Sequence, residues 1–291
     1  MKQTILALVL SCLSLAAAEK KIVLLAGSAS HGPGEHEFNA GCHLLQKCLD
    51  AVPGVKTEIY TNGWPHDPMR AFDGASAIFL YSDGGDGNPF NRPERREIID
   101  RLLERGIGLG CAHYAVEVPQ GATGDAFSKW IGGYFLTNWS VNPTWTAEFK
   151  SLPRHPITSG VHPFKIHDEW YYHMKFRDGM QGVTPILSAV APPTTLGRSD
   201  GTHSGNPAVR EAVAKGDPQI VMWATERPDG GRGFGFTGAH YHKNWANEDF
   251  RKSVLNAILW SAKMDVPKNG VECSISEDDL KANLDPKGKR Q

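Results

Sequence analysis

Lys21–Phe38 reads KIVLLAGSASHGPGEHEF, and the rest of the chain is read outward from it. Lys21 to Ala26 (KIVLLA) is an apolar run with no alternation, which predicts a strand covered on both faces, as in a parallel sheet. A loop rich in Gly and Ser follows. A helix is then predicted from His36 to Ala51, because Phe38, Cys42, Leu45 and Leu49 recur at helical spacing. Val55–Tyr60 and Ala75–Tyr81 (ASAIFLY) read as the second and third strands. Pro93 suits the first turn of the next helix, whose apolar face is Ile98, Ile99, Leu102 and Leu103, and Gly106 ends it. Ile107–Cys111 is a fourth strand. This order implies an α/β fold with a mainly parallel sheet between layers of helices.

The second half adds strands of another kind. Trp145, Ala147 and Phe149 alternate with polar residues, as in an edge or antiparallel strand. Thr184–Ala191 and Gln219–Ala224 are further strands. Thr194–Asp217 is polar and Gly-rich and reads as a surface excursion. Gly233–Gly238 (GFGFTG) is the last strand, its glycines permitting close backbone approach. A closing helix is expected over Asn247–Lys263, with Phe250, Val254, Ala257 and Ile258 inward. Ser276 and Asp279 have the spacing of a capping box for one short helix.

The 291 residues carry 31 Lys+Arg against 32 Asp+Glu, a net charge of −1, with 40% hydrophobic side chains. That composition excludes a disordered tail, a collagen-like repeat and a strongly basic nucleic-acid binder. Residues 1–18 read as a cleaved secretory leader: Lys2, an apolar run through Leu15, then Ala16-Ala17-Ala18. The run is too short to remain as a membrane span. Lipid attachment at Cys12 is the alternative. The expected organisation is a leader (1–18), a single domain (19–265) and a polar C-terminal extension (266–291), in a periplasmic or secreted protein. Cys42, Cys48, Cys111 and Cys273 remain after cleavage. Cys42 and Cys48 lie six apart on one helix, where they cannot meet each other, and are expected as buried small hydrophobes.

In an open parallel sheet, ligands bind beyond the carboxyl ends of the strands. Those exits carry His31 and His36-Glu37, then Ser82-Asp83-Gly84, then His113-Tyr114, then His240-Tyr241-His242-Lys243-Asn244-Trp245. His113, His240 and one of His31 or His36 would supply three ligands to zinc or another first-row divalent ion. The alternative is that these imidazoles bond backbone or substrate hydroxyls with no ion. No nucleotide cofactor is implied. A second cluster, His167–His173 (HDEWYYH), would place Asp168, Trp170 and Tyr172 on one face if extended. His167, Glu169, Tyr171 and His173 would share the other, which suits a wet pocket. Trp139, Trp145, Trp170 and Trp245, among Asn, Asp and His, suit a carbohydrate stacked on aromatic rings. Asp83, Tyr114, Trp139, His242 and Trp245 are the candidate substrate-binding residues. No basic patch with aromatics suggests nucleic acid. Cys111 follows a short strand like an elbow nucleophile, although His113 sits where such a frame would carry glycine.

Four segments together resemble the ThuA-like (trehalose-utilisation) family of the class I glutamine amidotransferase-like superfamily. They are KIVLLAGSASHGPGEHEF, GIGLGCAHYA, HPITSGVHPFKIHDEWYYH and GRGFGFTGAHYHKNW. The resemblance implies a flavodoxin-like three-layer sandwich with extra antiparallel strands in its second half, and a role in the use of trehalose and related sugars through keto-glycosides. The family's pocket residues correspond to His36-Glu37, His113, Glu169 with Tyr171, and His240, and a metal among such histidines is implied. The superfamily's nucleophile position aligns with Gly110, leaving Cys111 one residue late, and His240-Tyr241-His242 lacks the glutamate of a glutaminase. The leading expectation is an exported hydrolase, lyase or isomerase acting on a disaccharide or keto-glycoside. Glu169, His113, His240 and Tyr171 would be catalytic. A non-catalytic sugar-binding protein and a Cys111-dependent amidase are the alternatives.

Overall fold

The computed structural model describes residues 19–288. The leader and Cys12 lie outside them. The strands are β1 (Lys20–Ala26), β2 (Val55–Tyr60), β3 (Ala75–Tyr81), β4 (Gly108–Ala112), β5 (Gly133–Tyr134) and β6 (Thr144–Phe149). They continue as β7 (Phe164–Glu169), β8 (Lys175–Phe176), β9 (Val183–Val190), β10 (Pro218–Glu226) and β11 (Arg232–Phe236). The helices are α1 (Phe38–Asp50), α2 (Pro68–Phe72), α3 (Pro93–Glu104), α4 (Ala122–Trp130), α5 (Pro207–Lys215), α6 (Glu248–Ser261) and α7 (Glu277–Lys281).

One seven-stranded sheet has the order β2-β1-β3-β4-β11-β10-β9. The first five are parallel; β10 is antiparallel to both β11 and β9. The unbroken apolar run of β1 is explained by its two covered faces. Ile22, Leu24 and Ala26 join one core cluster with Phe38, Leu45 and Leu49 of α1 and Phe250, Val254 and Ile258 of α6. Val23 and Leu25 join the other, with Ile99 and Leu103 of α3 and Phe127 and Trp130 of α4. The alternation in β6 also holds: Trp145, Ala147 and Phe149 are buried while Thr144, Thr146 and Glu148 are exposed. Among the described residues this strand pairs only with β7, in a separate two-stranded antiparallel sheet.

Two glycines let the sheet close where the site begins. A Cβ on Gly110 would lie 2.2 Å from the Phe234 ring, and one on Gly235 would lie 2.1 Å from the Trp223 ring. Aromatic rings therefore pack directly on the backbone of β4 and β11. Beyond these strands the chain turns out to His113 and His240.

Two expectations are corrected. Thr194–Asp217 is not only a loop, because Asn206 caps a helix, α5, that ends on Gly216 in the left-handed region at φ +73°. Its short length and polar outer face masked the signal. Cys48 is not a free packed thiol: it forms a disulfide with Cys273, 225 residues away, while Cys42 stays free and buried. The bond ties the polar tail to α1. The capping box forms reciprocally at α7, and Lys47 of α1 bonds Asp279 at 2.6 Å. Among the described residues no helix is long and apolar enough to cross a membrane.

A cross-link closing so long a loop restricts the unfolded chain, an effect worth up to about 5 kcal/mol. Reduction, or Cys273→Ser, is expected to lower the thermal midpoint by on the order of 10 °C. Scanning calorimetry with and without reductant checks this; coincident melts would show that the bond adds nothing.

Candidate metal centre and active site

β1, β3, β4 and β11 lie side by side and parallel, so their carboxyl ends open on one rim. His36 arrives from the loop after β1, Asp83 from beyond β3, His113 directly after β4, and His240 after β11. Glu169 ends β7 of the small sheet. The inward ring nitrogens converge. His36 Nε2 lies 2.9 Å from His113 Nε2 and 3.0 Å from His240 Nδ1, and the last two are 3.2 Å apart. Glu169 Oε2 is 3.2 Å from His240 Nδ1 and 3.5 Å from His113 Nε2. Ligands about 2.0–2.1 Å from a tetrahedral zinc ion stand about 3.3 Å from one another. The set therefore has the spacing of a coordination shell.

The outward nitrogens fix two of the tautomers. His36 Nδ1–H donates to Asp83 Oδ1 at 3.2 Å, and His113 Nδ1–H donates to the Thr237 carbonyl at 3.0 Å. His240 Nε2 faces Glu35 Oε1 at 3.8 Å. His36 and His113 thus turn bare Nε2 lone pairs to one buried spot, while His240, with no outer partner at hydrogen-bond distance, has its Nδ1 3.2 Å from Glu169 Oε2. Such an arrangement repels itself unless a proton or a cation sits among them. Outer carboxylates and carbonyls on the second ring nitrogen are what orient metal-ligating histidines.

Backbone strain marks the same residues. His36 (φ +47°), His113 (φ +55°) and Ala239 (φ +83°) all occupy the left-handed region without being glycine. Each conformation costs on the order of 1–3 kcal/mol and persists only where the surroundings hold it. Asp168 supplies one such hold. Its buried carboxylate accepts the N–H groups of Ala239, His240 and Tyr241 at 2.7, 3.1 and 3.3 Å, clamping the turn that presents His240. Burial raises the Asp168 carboxyl above its usual range even against these donors.

The strand-to-helix turn after β4 presents His113, a four-residue 3-10 turn following at once. The elbow residue is thus His113 rather than Gly110, as the resemblance had aligned it. Cys111 lies within β4, fully buried, and desolvation pushes its thiol up. It has neither the exposure nor the charged neighbours of a reactive thiolate.

Of the other expected site residues, Tyr171 is buried with its hydroxyl 3.4 Å from His113 Nε2. The structure takes His36 rather than His31 into the inner set. His31 stacks outside it, its ring centroid 3.6 Å from that of His36 and its Nδ1 3.8 Å from Asp83. Tyr114 stands beside both rings, its phenol raised to about 12 chiefly by burial. Trp139 is exposed against His173. Trp245, expected on the rim, is wholly buried against Tyr81 and Phe250; Trp145 and Trp170 are core residues too. His242 is turned to the Leu280 carbonyl at 3.0 Å. Glu37 is engaged with Gly34 and Asp285 backbone N–H groups, not with the cluster.

Sequence reasoning missed a polar wall beside Glu169. Asn142 Nδ2 donates to Glu169 Oε1 at 3.3 Å, and Arg198 Nη2 donates to Asn142 Oδ1 at 2.9 Å. His203 Nε2 meets buried Glu117 Oε1 at 2.8 Å and its ring stacks on Phe135. These residues come from loops whose sequence shows no motif. Glu169 and His240 side chains keep 18% and 11% exposure, so the centre is not sealed from solvent.

The chain belongs to the family described as ThuA, trehalose utilisation, whose model matches residues 37–261. Its fold is shared with a putative ThuA-like protein from Bacteroides uniformis (16% identity, TM-score 0.58, covering 86% of this chain and 95% of that one). A second putative ThuA-like protein, from Parabacteroides merdae, matches at 12% identity and TM-score 0.54, covering 89% and 94%. A glutamine amidotransferase from Thermotoga maritima matches more remotely, at 10% identity and TM-score 0.43, covering 84% and 96%. No curated protein sequence matches the chain.

The buried imidazoles set a pH dependence. Burial, with repulsion from neighbouring rings, lowers His36 to about 2 and holds His113 well below its ordinary value. Burial also pulls on His240, but its hydrogen bond and charge contact with Glu169 reverse the sign; the bond to Glu117 raises His203. Below about pH 6.5 the unfolded chain takes up protons that His36 and His113 refuse, so stability falls. The gain from the two raised imidazoles is complete by that pH and does not oppose the fall. Melting of metal-free protein is expected to drop from pH 6.5 to 4.5, each lowered imidazole adding up to about 1.4 kcal/mol per unit. A flat profile would contradict the neutral-imidazole assignment.

Proposed function

We propose that this protein is an exported enzyme of carbohydrate utilisation that acts on a disaccharide or keto-glycoside at a divalent-metal centre held by His36, His113 and His240. One observation carries the reading: three imidazole nitrogens converge at 2.9–3.2 Å, with Glu169 Oε2 3.2 and 3.5 Å from two of them. The donor chemistry, neutral imidazoles with a carboxylate, fits zinc or another first-row ion. Such an ion, when bound, polarises a carbonyl or hydroxyl oxygen of the sugar. Glu169 has one oxygen fixed by Asn142 and the other turned to the centre. In this reading it takes a proton from the carbon beside a sugar carbonyl and returns it elsewhere on the same substrate. The Tyr171 hydroxyl, kept protonated by burial, orients that chemistry as a donor. Sugar hydroxyls would meet Asp83, Tyr114, Trp139 and the Asn142–His203 wall. Family membership supports the sugar. The Cys48–Cys273 disulfide supports an oxidising compartment and hence the leader.

Elemental analysis of purified protein is expected to find one divalent ion per chain, lost in His36→Ala and His113→Ala. Turnover of 3-keto-disaccharides should need that ion, and chelation should abolish it. Glu169→Gln should keep the fold while losing about 10²–10⁴ in rate. A metal-free wild-type protein that turns over these sugars would overturn the metal reading; full activity in Glu169→Gln would remove it as the base.

A further inference from the structure

The stretch from Ser274 to Gly288 lies beyond the family match, which ends at residue 261. It nevertheless returns to the loop that carries His36. The disulfide fixes its start on α1. Asn283 O then accepts a bond from Asn39 of α1, Leu280 O meets His242, and Asp285 N–H donates to Glu37 Oε2 at 2.9 Å. At its end Lys287 reaches inward. Its ammonium pairs with Glu37 Oε1 at 3.4 Å and donates to the carbonyls of Gly32 and Glu35. The two side chains are almost completely buried, 4% and 2% exposed.

Glu37 in turn organises the loop: its Oε1 accepts the Gly34 N–H at 2.8 Å. The same loop is stitched to the His240 turn by His36 N–H to His240 O and His242 N–H to Gly34 O. His36, between Glu35 and Glu37, is held at φ +47°. A buried carboxylate without a cation is costly, so removing Lys287 would drive Glu37 towards water and the loop with it. On either side of His36, Glu37 would lose its cation and the Glu35 carbonyl a donor.

We propose that residues 274–288 form a strap, tethered by Cys48–Cys273, and that Lys287 is a positioning residue that sets the His36 imidazole through Glu37. The proposal rests on the metal reading for its consequence, and on the loop contacts alone for its mechanism. Outer partners of metal ligands commonly govern affinity by 10- to 100-fold. Reduction of the disulfide frees the strap at its root and has the same effect, weaker because the hydrogen bonds remain.

Two measurements test it. The first is zinc affinity, by competition with a chelator. It is read for wild type, Lys287→Met, the chain ended after Ser274 with the disulfide kept, and Glu37→Gln combined with Lys287→Met. The single variant and the shortened chain should bind zinc about 10- to 100-fold more weakly. The double variant, which buries no unpaired charge, should recover most of the loss. The second is amide exchange in metal-free protein, where Gly34 and His36 should exchange at least about tenfold faster in Lys287→Met while the core strands keep their protection. Zinc affinity within twofold of wild type in both single variant and shortened chain overturns the positioning role. Unchanged exchange at Gly34 and His36 overturns the strap itself. If the wild-type protein holds no zinc, the metal reading fails, and the exchange experiment still decides the strap.

Discussion

Three neutral imidazole nitrogens lie about 3 Å apart in a buried spot, and their mutual repulsion is the constraint around which the chain is arranged. A proton or a metal cation among them relieves it. Glu169 shifts the His240 imidazole upward while His36 and His113 are shifted down, so of the three it takes a proton most readily. A cation and a proton therefore compete for one place, which is the ordinary linkage between metal binding and acidity.

Holding like groups so close takes support from every side. β4 and β11 run parallel and adjacent, so His113 and His240 leave the sheet as neighbours although 127 residues separate them. The left-handed backbone at His36, His113 and Ala239 is kept by tertiary contacts, chiefly the Asp168 carboxylate on three successive N–H groups and the Glu37 carboxylate on Gly34. These two acids bind backbone rather than substrate. They lie next to residues that do face the centre, which is why HDE at 167–169 and HE at 36–37 look alike in sequence and differ in role.

The large elements were legible because burial on two faces leaves a plain signature. KIVLLA, ASAIFLY and the heptad-like face of α1 appear in the structure within a residue or two of their expected ends. The alternation across Asp168–Tyr172 also held: Trp170 and Tyr172 entered one core cluster and Tyr171 the other. Short elements escaped. α5 depends on its Asn206 cap and a Gly216 terminus more than on an apolar face, and α4 has only Phe127 and Trp130 as large apolar anchors. Tryptophan misled, because a ring suited to sugar stacking is equally suited to a core, and Trp245 went inside.

By itself the sequence determined the layered α/β scheme and which imidazoles sit at strand exits, since hydrophobic periodicity and exit position are local properties of the chain. The choice of His36 over His31, the aim of each ring nitrogen, and the pairing of Cys48 with Cys273 were decided by tertiary structure alone. Each depends on distances between segments tens to hundreds of residues apart. Those distances are set by strand order and by the packing of a tail whose polar composition carries no periodic signal.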